Sequence, residues 1–427
     1  MPRPLSDMSS ALNGQVLQQL ASPYQGPFWV YDAEIIRQQI AKLHQFDVVR
    51  FAQKACSNIH ILRLIRELGV KVDSVSAGEI QRALVAGFDP KQHDIVFTAD
   101  VLDDAGLALV SEQGIPVNVG SIDMIHQLAA YSPAHPIWLR INPGFGHGHS
   151  QKTNTGGENS KHGIWYQQLQ EAITVSQQYA MDLQGFHMHI GSGVDYQHLA
   201  QVCDAMVDLV IQAGVDIKAI SAGGGLSIPY HFDEDQIDID HYFSLWDAAR
   251  QKIAEHLGHA VTLELEPGRF LVAESGVLVS QVRATKTMGR RHFVLTDAGF
   301  NDLQRPAMYG SYHHASLLPI EGLAELSNRT QQETVLAGPL CESGDVFTQL
   351  EGGMIQPRMM PSAKVGDYLI FHDTGAYGAT MSSNYNSRPL IPEILIDKGQ
   401  SRVIRRRQTM DDLLALEIAL IGGQSVT

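Results

Sequence analysis

The chain has 427 residues, 44% hydrophobic and 18% charged, which allows large cores and excludes global disorder. Its net charge of −15 argues against general binding of nucleic acid or anionic membrane. Three scattered cysteines, no apolar run of about 18 residues, and a start (MPRPLSDMSS) without the apolar stretch of a signal peptide leave a cytoplasmic protein without disulfides as the expectation.

In chain order, PFWVYDAEIIRQQI (27–40) reads as a strand leading into a helix. Eight short β-branched runs follow, near 48–54, 70–76, 94–99, 115–120, 137–142, 183–190, 218–222 and 261–266. Helical patterns separate them. Ile61, Leu64, Ile65 and Leu68 follow i, i+3, i+4, i+7, and Gly69 can end that helix. Ile80, Ala83, Leu84 and Gly87 repeat the pattern behind Ser76 and Glu79, which have capping-box spacing. Leu199, Val202, Cys203, Met206 and Val210 mark a further apolar face. Such alternation requires right-handed crossovers and a parallel sheet. Eight units in about 230 residues predict a (β/α)8 TIM-like barrel over 33–272.

Beyond about residue 275 the rhythm changes to short strands and turns (GVLVSQVRAT, RHFVLTD, ETVLAGP, DYLIFHD), which predict a C-terminal antiparallel β domain. The N-terminal strand is expected to join it, so that 1–32 plus 273–427 form the second domain. The loop 144–163, GFGHGHSQKTNTGGENSKHG, is long for a compact domain.

Active sites of such barrels collect at the C-terminal strand ends. Those ends carry Lys54, Asp73, His189 with Gly191-Ser192-Gly193, Gly223-Gly224-Gly225, and Glu266-Pro267-Gly268-Arg269. A lysine at a strand exit is most simply solvated; the sharper reading is an amine forming a Schiff base. The glycines 223–225 fit a plain turn, or backbone N–H groups that approach a phosphate. A carboxylate ending the apolar strand VTLELE needs a cationic partner, either Arg269 or a protonated ring nitrogen. His187 and His189, at i and i+2 on a strand, point the same way. With His147 and His149 they suggest a metal, but no cysteine or carboxylate cluster completes a ligand set, so none is expected. A flat imidazole stacked on an aromatic cofactor suits the neighbouring glycines better. Cys341 is either a small buried hydrophobe or, among Glu342, Ser343 and Asp345, part of a site. Tyr377 sits in a glycine-flanked turn, DTGAYG, and Arg305 and Tyr309 lie four apart.

Taken together, FAQKACSN, VDSVSAGE, HMHIGSG, SAGGGL, ELEPGR, GPLCESGD and DTGAYG, in this order over about 27–390, resemble the barrel-type (fold type III) pyridoxal-phosphate decarboxylases. CESGD, the Arg305–Tyr309 element, SNYNSRP and KTNTGGENSKHGI point within them to the diaminopimelate decarboxylase family. The resemblance implies decarboxylation of meso-2,6-diaminopimelate to L-lysine and CO2, the last step of lysine biosynthesis, with pyridoxal 5'-phosphate as cofactor. Lys54 would hold the cofactor, His189 would stack on its ring, and Glu266 would pair with the ring nitrogen. Ser192, Gly223, Gly224, Gly225 and Tyr377 would bind the phosphate, with a backbone donor from Gly268. Arg269, Arg305, Tyr309, Glu342 and Tyr377 would surround the substrate, Asp73 and Glu79 would support Lys54 and His189, and Cys341 or Lys54 would deliver a proton. Cys341 and Glu342 would serve the site of a partner subunit, implying a homodimer. One departure is His162, where Phe or Tyr is the commoner residue of the family.

Other readings are a decarboxylase of ornithine, arginine or carboxynorspermidine, a non-catalytic pyridoxal-phosphate-binding barrel, an alanine racemase and a metal-dependent hydrolase. Arg305, Tyr309 and Glu342 separate the first from the leading reading, because a bare distal amine has no need of two arginines.

Overall fold

A computed structural model describes residues 9, 11–21, 23–24, 26–146, 156–189, 191, 195–231, 233–418 and 420. The chain forms two compact units. One combines the segment ending at Ile36, Pro229–Asp235 and everything from Val272 onward; the other comprises Arg37–Ile228 and Gln236–Leu271.

The first strand, β1 (Phe28–Asp32), belongs to the former unit. In the other unit lie β2 (Val48–Ala52), β3 (Lys71–Ser74), β4 (Ile95–Ala99), β5 (Val117–Val119) and β6 (Pro136–Asn142). They are followed by β7 (Ile164–Trp165), β8 (Asp182–His187), β9 (Ala219–Ser221) and β10 (Thr262–Leu265). Apart from β7, a short addition to β6, these strands pair in parallel in chain order, and β10 returns beside β2. That closure makes the expected eight-stranded barrel. Its strands are buried on both faces, which explains their near-continuous apolar runs.

The turns show why the chain alternates. Asn58, Ser76, Asp103, Ser121, Asp195 and Asp238 each accept a hydrogen bond from the first turn of the following helix. Ser76 Oγ accepts from Glu79 N at 3.2 Å, as the capping-box spacing predicts. The return bond differs, because the Glu79 carboxylate accepts from Val75 N at 2.8 Å, one residue earlier than the motif requires. Leu68, counted on the apolar face of its helix, is exposed at the C-cap, where the chain leaves the packed surface.

The remaining strands are β11 (Gly276–Met288), β12 (Arg291–Thr296), β13 (Ala315–Leu318) and β14 (Gln331–Ala337). After them come β15 (Arg358–Pro361), β16 (Tyr368–Phe371), β17 (Glu393–Asp397) and β18 (Gln400–Arg405). Seven strands run in the order β15-β14-β12-β11-β1-β17-β18, with β16 also on β11 and β13 on β16. Most pairs are antiparallel, as expected, but β1–β17 and β12–β14 are parallel. Long stretches of chain separate both pairs, and parallel neighbours require such a crossover. Phe28, Val30, Val277, Val279, Ile370, Ile394 and Ile396 pack into one core against Leu12 and Leu17. No helix among the described residues is long and apolar enough to cross a membrane.

Candidate functional site

At the strand exits of the barrel, β2 ends at Ala52, and Lys54 lies in a 3-10 turn, Gln53–Ala55, rather than on the strand itself. Gln53 and Ala55 are buried while Lys54 is exposed, so the turn lifts the amine off the core. Gln53 holds that turn: its Nε2 donates to Ser74 Oγ at 2.6 Å and to Glu79 O at 3.0 Å. Asp73 is buried on β3, and its Oδ1 has no hydrogen-bond partner among the described residues. Burial and the nearby Glu266 push its carboxyl well above the ordinary range, against the pull of Lys54. Burial also raises Glu79, against its bond from Val75 N and the charge of Lys54.

β8 ends at His187, so His189 lies two residues beyond the strand. His189 Nδ1 accepts from Gly224 N at 3.2 Å. Burial, then the positive charges of Lys54 and Arg140, hold this imidazole well below its usual value. His187 Nε2 donates to Glu266 Oε2 at 2.7 Å. Ser221 Oγ donates to Glu266 Oε1 at 3.3 Å and accepts from Gly223 N at 3.1 Å. Burial would raise the Glu266 carboxyl, but His187, His189 and Arg50 outweigh it and hold it at about 2. Sequence reasoning assigned no role to Gln53 or Ser221. Neither residue type carries a signal of its own.

The glycine turn is fixed by crowding. A Cβ on Gly224 would lie 2.7 Å from Glu266 O, and one on Gly225 would lie 2.6 Å from Gly191 O. Gly268 packs against the lysine turn, with its Cβ position 3.2 Å from Ala52 Cβ and Ala55 Cβ. Arg269 begins the short helix Arg269–Val272 and is half-buried. Ser192, His147 and His149 lie outside the described residues. Among those described, no cluster of three or more His, Cys, Asp or Glu could hold a metal ion. His162 pairs with Asp100, which also accepts from Gly163 N at 3.1 Å, and so fastens the end of the 144–163 loop beside β4.

The other unit carries the remaining candidates. Arg305 and Tyr309 begin and end the helix Arg305–Tyr309. Arg305 is buried; its Nη1 donates to Tyr230 Oη at 3.1 Å and to His313 Nε2 at 2.8 Å, and its guanidinium lies 4.9 Å from the centroid of the Tyr230 ring. Cys341 and Glu342 are exposed, while Cys56 and Cys203 are buried. The loop beneath Cys341 is anchored by Asp345, which accepts from Phe300 N and Leu340 N, both at 2.7 Å. Cys341 N donates to Asn386 Oδ1 at 2.9 Å, which ties CESGD to SNYNSRP. Tyr377 sits at φ 58°, a left-handed backbone rare for a bulky residue, with a cost of order 1–3 kcal/mol. The preceding Gly375 abuts Val272 O so closely that no Cβ fits, which locks this turn.

Barrel and rim define the class first. Residues 32–273 match the family model for the pyridoxal-dependent decarboxylase, pyridoxal binding domain, so the chain is a pyridoxal-dependent decarboxylase. It is 66% identical over 420 residues to the diaminopimelate decarboxylase of Escherichia coli strain K12, covering 98% of this chain and 100% of that protein. A crystal structure of diaminopimelate decarboxylase matches it with a TM-score of 0.95 at 66% identity, over 98% of this chain and 100% of that one. The Helicobacter pylori diaminopimelate decarboxylase complexed with L-lysine matches with a TM-score of 0.82 at 30% identity, over 94% and 99%. The chain belongs to the diaminopimelate decarboxylase family.

The cofactor of this family is pyridoxal phosphate, and the barrel rim fits it. An exposed amine stands among buried neighbours at Lys54, a buried ionised carboxylate at Glu266, and a turn at Gly224 and Gly225 whose backbone no Cβ can shield. Asp73 Oδ1 adds an acceptor without a protein partner among the described residues.

Proposed function

We propose that this protein decarboxylates meso-2,6-diaminopimelate to L-lysine and CO2 as the last step of lysine biosynthesis, in the cytoplasm. The observation that carries the reading is the buried Glu266 carboxylate, held ionised between the lysine turn and the glycine turn. When bound, pyridoxal phosphate supplies the electron sink for the pair left on carbon as CO2 departs. Lys54 holds the cofactor through its amine, and Glu266 keeps a proton on the ring nitrogen. His189, kept neutral by burial and by the charges of Lys54 and Arg140, would offer the ring a flat uncharged face. Gly223, Gly224, Gly225, Gly268, Ser192 and Tyr377 serve the phosphate, and Asp73 and Glu79 orient the amine of Lys54.

Substrate selection rests on charge. The two ends of meso-diaminopimelate differ only in chirality, so the distal end needs fixed partners. Arg305 is suited to a carboxylate because Tyr230 and His313 already constrain its fork, which lowers the ordering cost on binding. Arg269, Tyr309 and Tyr377 complete the surroundings, and Glu342 takes the distal ammonium. Cys341 or Lys54 returns a proton to the carbon that lost CO2. The exposure of Cys341 and Glu342 supports a homodimer in which each copy lends them to the other.

The test is direct. Purified protein given pyridoxal phosphate is expected to turn yellow, absorbing near ~420 nm, and to release CO2 and L-lysine from meso-diaminopimelate. Lys54→Ala is expected to abolish the colour. A colourless wild-type protein that takes up no cofactor overturns the reading.

A further inference from the structure

His187 is fully buried between Phe186 and Met188, which are buried too. Its Nε2 is committed to Glu266 Oε2 at 2.7 Å, and its Nδ1 has no partner among the described residues. An imidazole with one buried nitrogen unpartnered is unfavourable relative to an apolar filler. Packing alone therefore does not account for a histidine here, and the contact with Glu266 does.

The frame is built across three adjacent strands. His187 on β8 pairs in register with Ser221 on β9, and Ser221 pairs with Glu264 on β10, two residues before Glu266. Parallel neighbours in register direct their side chains to the same face of the sheet. His187 and Ser221 therefore approach one carboxylate from adjacent strands and take one oxygen each, at 2.7 and 3.3 Å. The stronger bond is to Oε2. Oε1 has only the long bond from Ser221, whose hydroxyl also accepts from Gly223 N. The same hydroxyl thus links the carboxylate to the glycine turn.

We propose that His187 is a positioning residue: by clamping Oε2 it sets the plane of the Glu266 carboxylate and leaves Oε1 to meet the ring nitrogen of the cofactor. This rests on the reading of Glu266 given above and extends it to a residue that touches neither substrate nor cofactor. A carboxylate without this clamp can rotate about its last torsion, which is broad and soft. The proton on the ring nitrogen is then held less firmly, and the electron sink weakens.

The test compares His187→Ala, His187→Gln and Glu266→Gln holoenzymes by cofactor titration, visible absorption and steady-state kinetics. His187→Ala is expected to bind pyridoxal phosphate with affinity within about threefold of wild type, to show an altered visible band, and to lose ~10–100-fold in kcat with little change in KM. The amide of His187→Gln can donate from about the position of Nε2 and is expected to recover most of both. In a Glu266→Gln background, His187→Ala is expected to cost almost nothing more, because the group it acts through is gone. An unchanged kcat and spectrum in His187→Ala would overturn the proposal. So would equal losses in the Ala and Gln variants accompanied by a parallel loss of cofactor affinity, or full additivity with Glu266→Gln. Failure of the underlying reading looks different: wild-type protein itself would take up no cofactor, or Glu266→Gln would be as active as wild type.

Discussion

Glu266 keeps its charge where burial alone would protonate it, because His187, His189 and Arg50 favour the ionised form. Its folded value, near 2, lies below the ordinary 4.5, so its contribution to stability is present above about pH 4.5 and is lost as pH falls toward 2. Asp302 has the opposite sign. It is buried, accepts from Gly299 N at 3.2 Å, and has one oxygen without a partner among the described residues. Burial raises it to about 7, so its contribution is complete below the unfolded value of 3.8 and is lost as pH rises to about 7. Asp302→Asn is therefore expected to raise the apparent Tm at pH 8 by a few degrees, at roughly 2–4 °C per kcal/mol, and to change it little at pH 4. Thermal unfolding at the two pH values checks this; equal shifts at both would contradict it.

At the scale of elements, the barrel was legible because its strands are short and β-branched and its helices carry capping residues and apolar stripes at 3.6 spacing. What was not legible depends on where a strand stops. Lys54 and His189 both lie two residues past their strands, and the backbone turn there decides where each side chain faces. Local pattern cannot show that turn, because groups from other parts of the sequence hold it: Ser74 and Glu79 through Gln53 beside Lys54, and Gly224 at His189. The parallel pairings of β1 with β17 and β12 with β14 were missed for a similar reason: alternation shows which face is buried, not which neighbour is chosen. The glycine turn gives a test at this scale. A Cβ at Gly224 would meet Glu266 O at 2.7 Å, so Gly224→Ala must displace one of two turns that share the site. It is expected to weaken cofactor affinity by at least ~10-fold, equivalent to about 1.4 kcal/mol, while far-ultraviolet circular dichroism stays unchanged. Wild-type affinity in that variant would contradict the crowding.

At the scale of the whole molecule, the residues given roles above lie in two compact units. Lys54, His189 and Glu266 belong to the barrel, and Arg305, Cys341, Glu342 and Tyr377 to the other unit. The individual motifs were readable in the sequence, but the partners that brace them were not. Tyr230 and His313 at Arg305, and Asp345 and Asn386 at the Cys341 loop, come together only through the fold. If each copy lends Cys341 and Glu342 to the other and Cys341 is the proton donor, inactive Lys54→Ala and Cys341→Ala proteins should complement. Random exchange of subunits gives hybrids with one intact site, and about a quarter of wild-type activity is expected on mixing. No recovery after demonstrated exchange would contradict shared sites. Decarboxylation itself tests the central claim most directly, as CO2 released from meso-diaminopimelate against L,L-diaminopimelate, ornithine and arginine. Turnover of the meso compound at least ~100-fold above each of the others is expected, because ornithine and arginine lack the distal carboxylate proposed to meet Arg305, while L,L-diaminopimelate presents the wrong chirality at one end. Equal turnover of ornithine would contradict it.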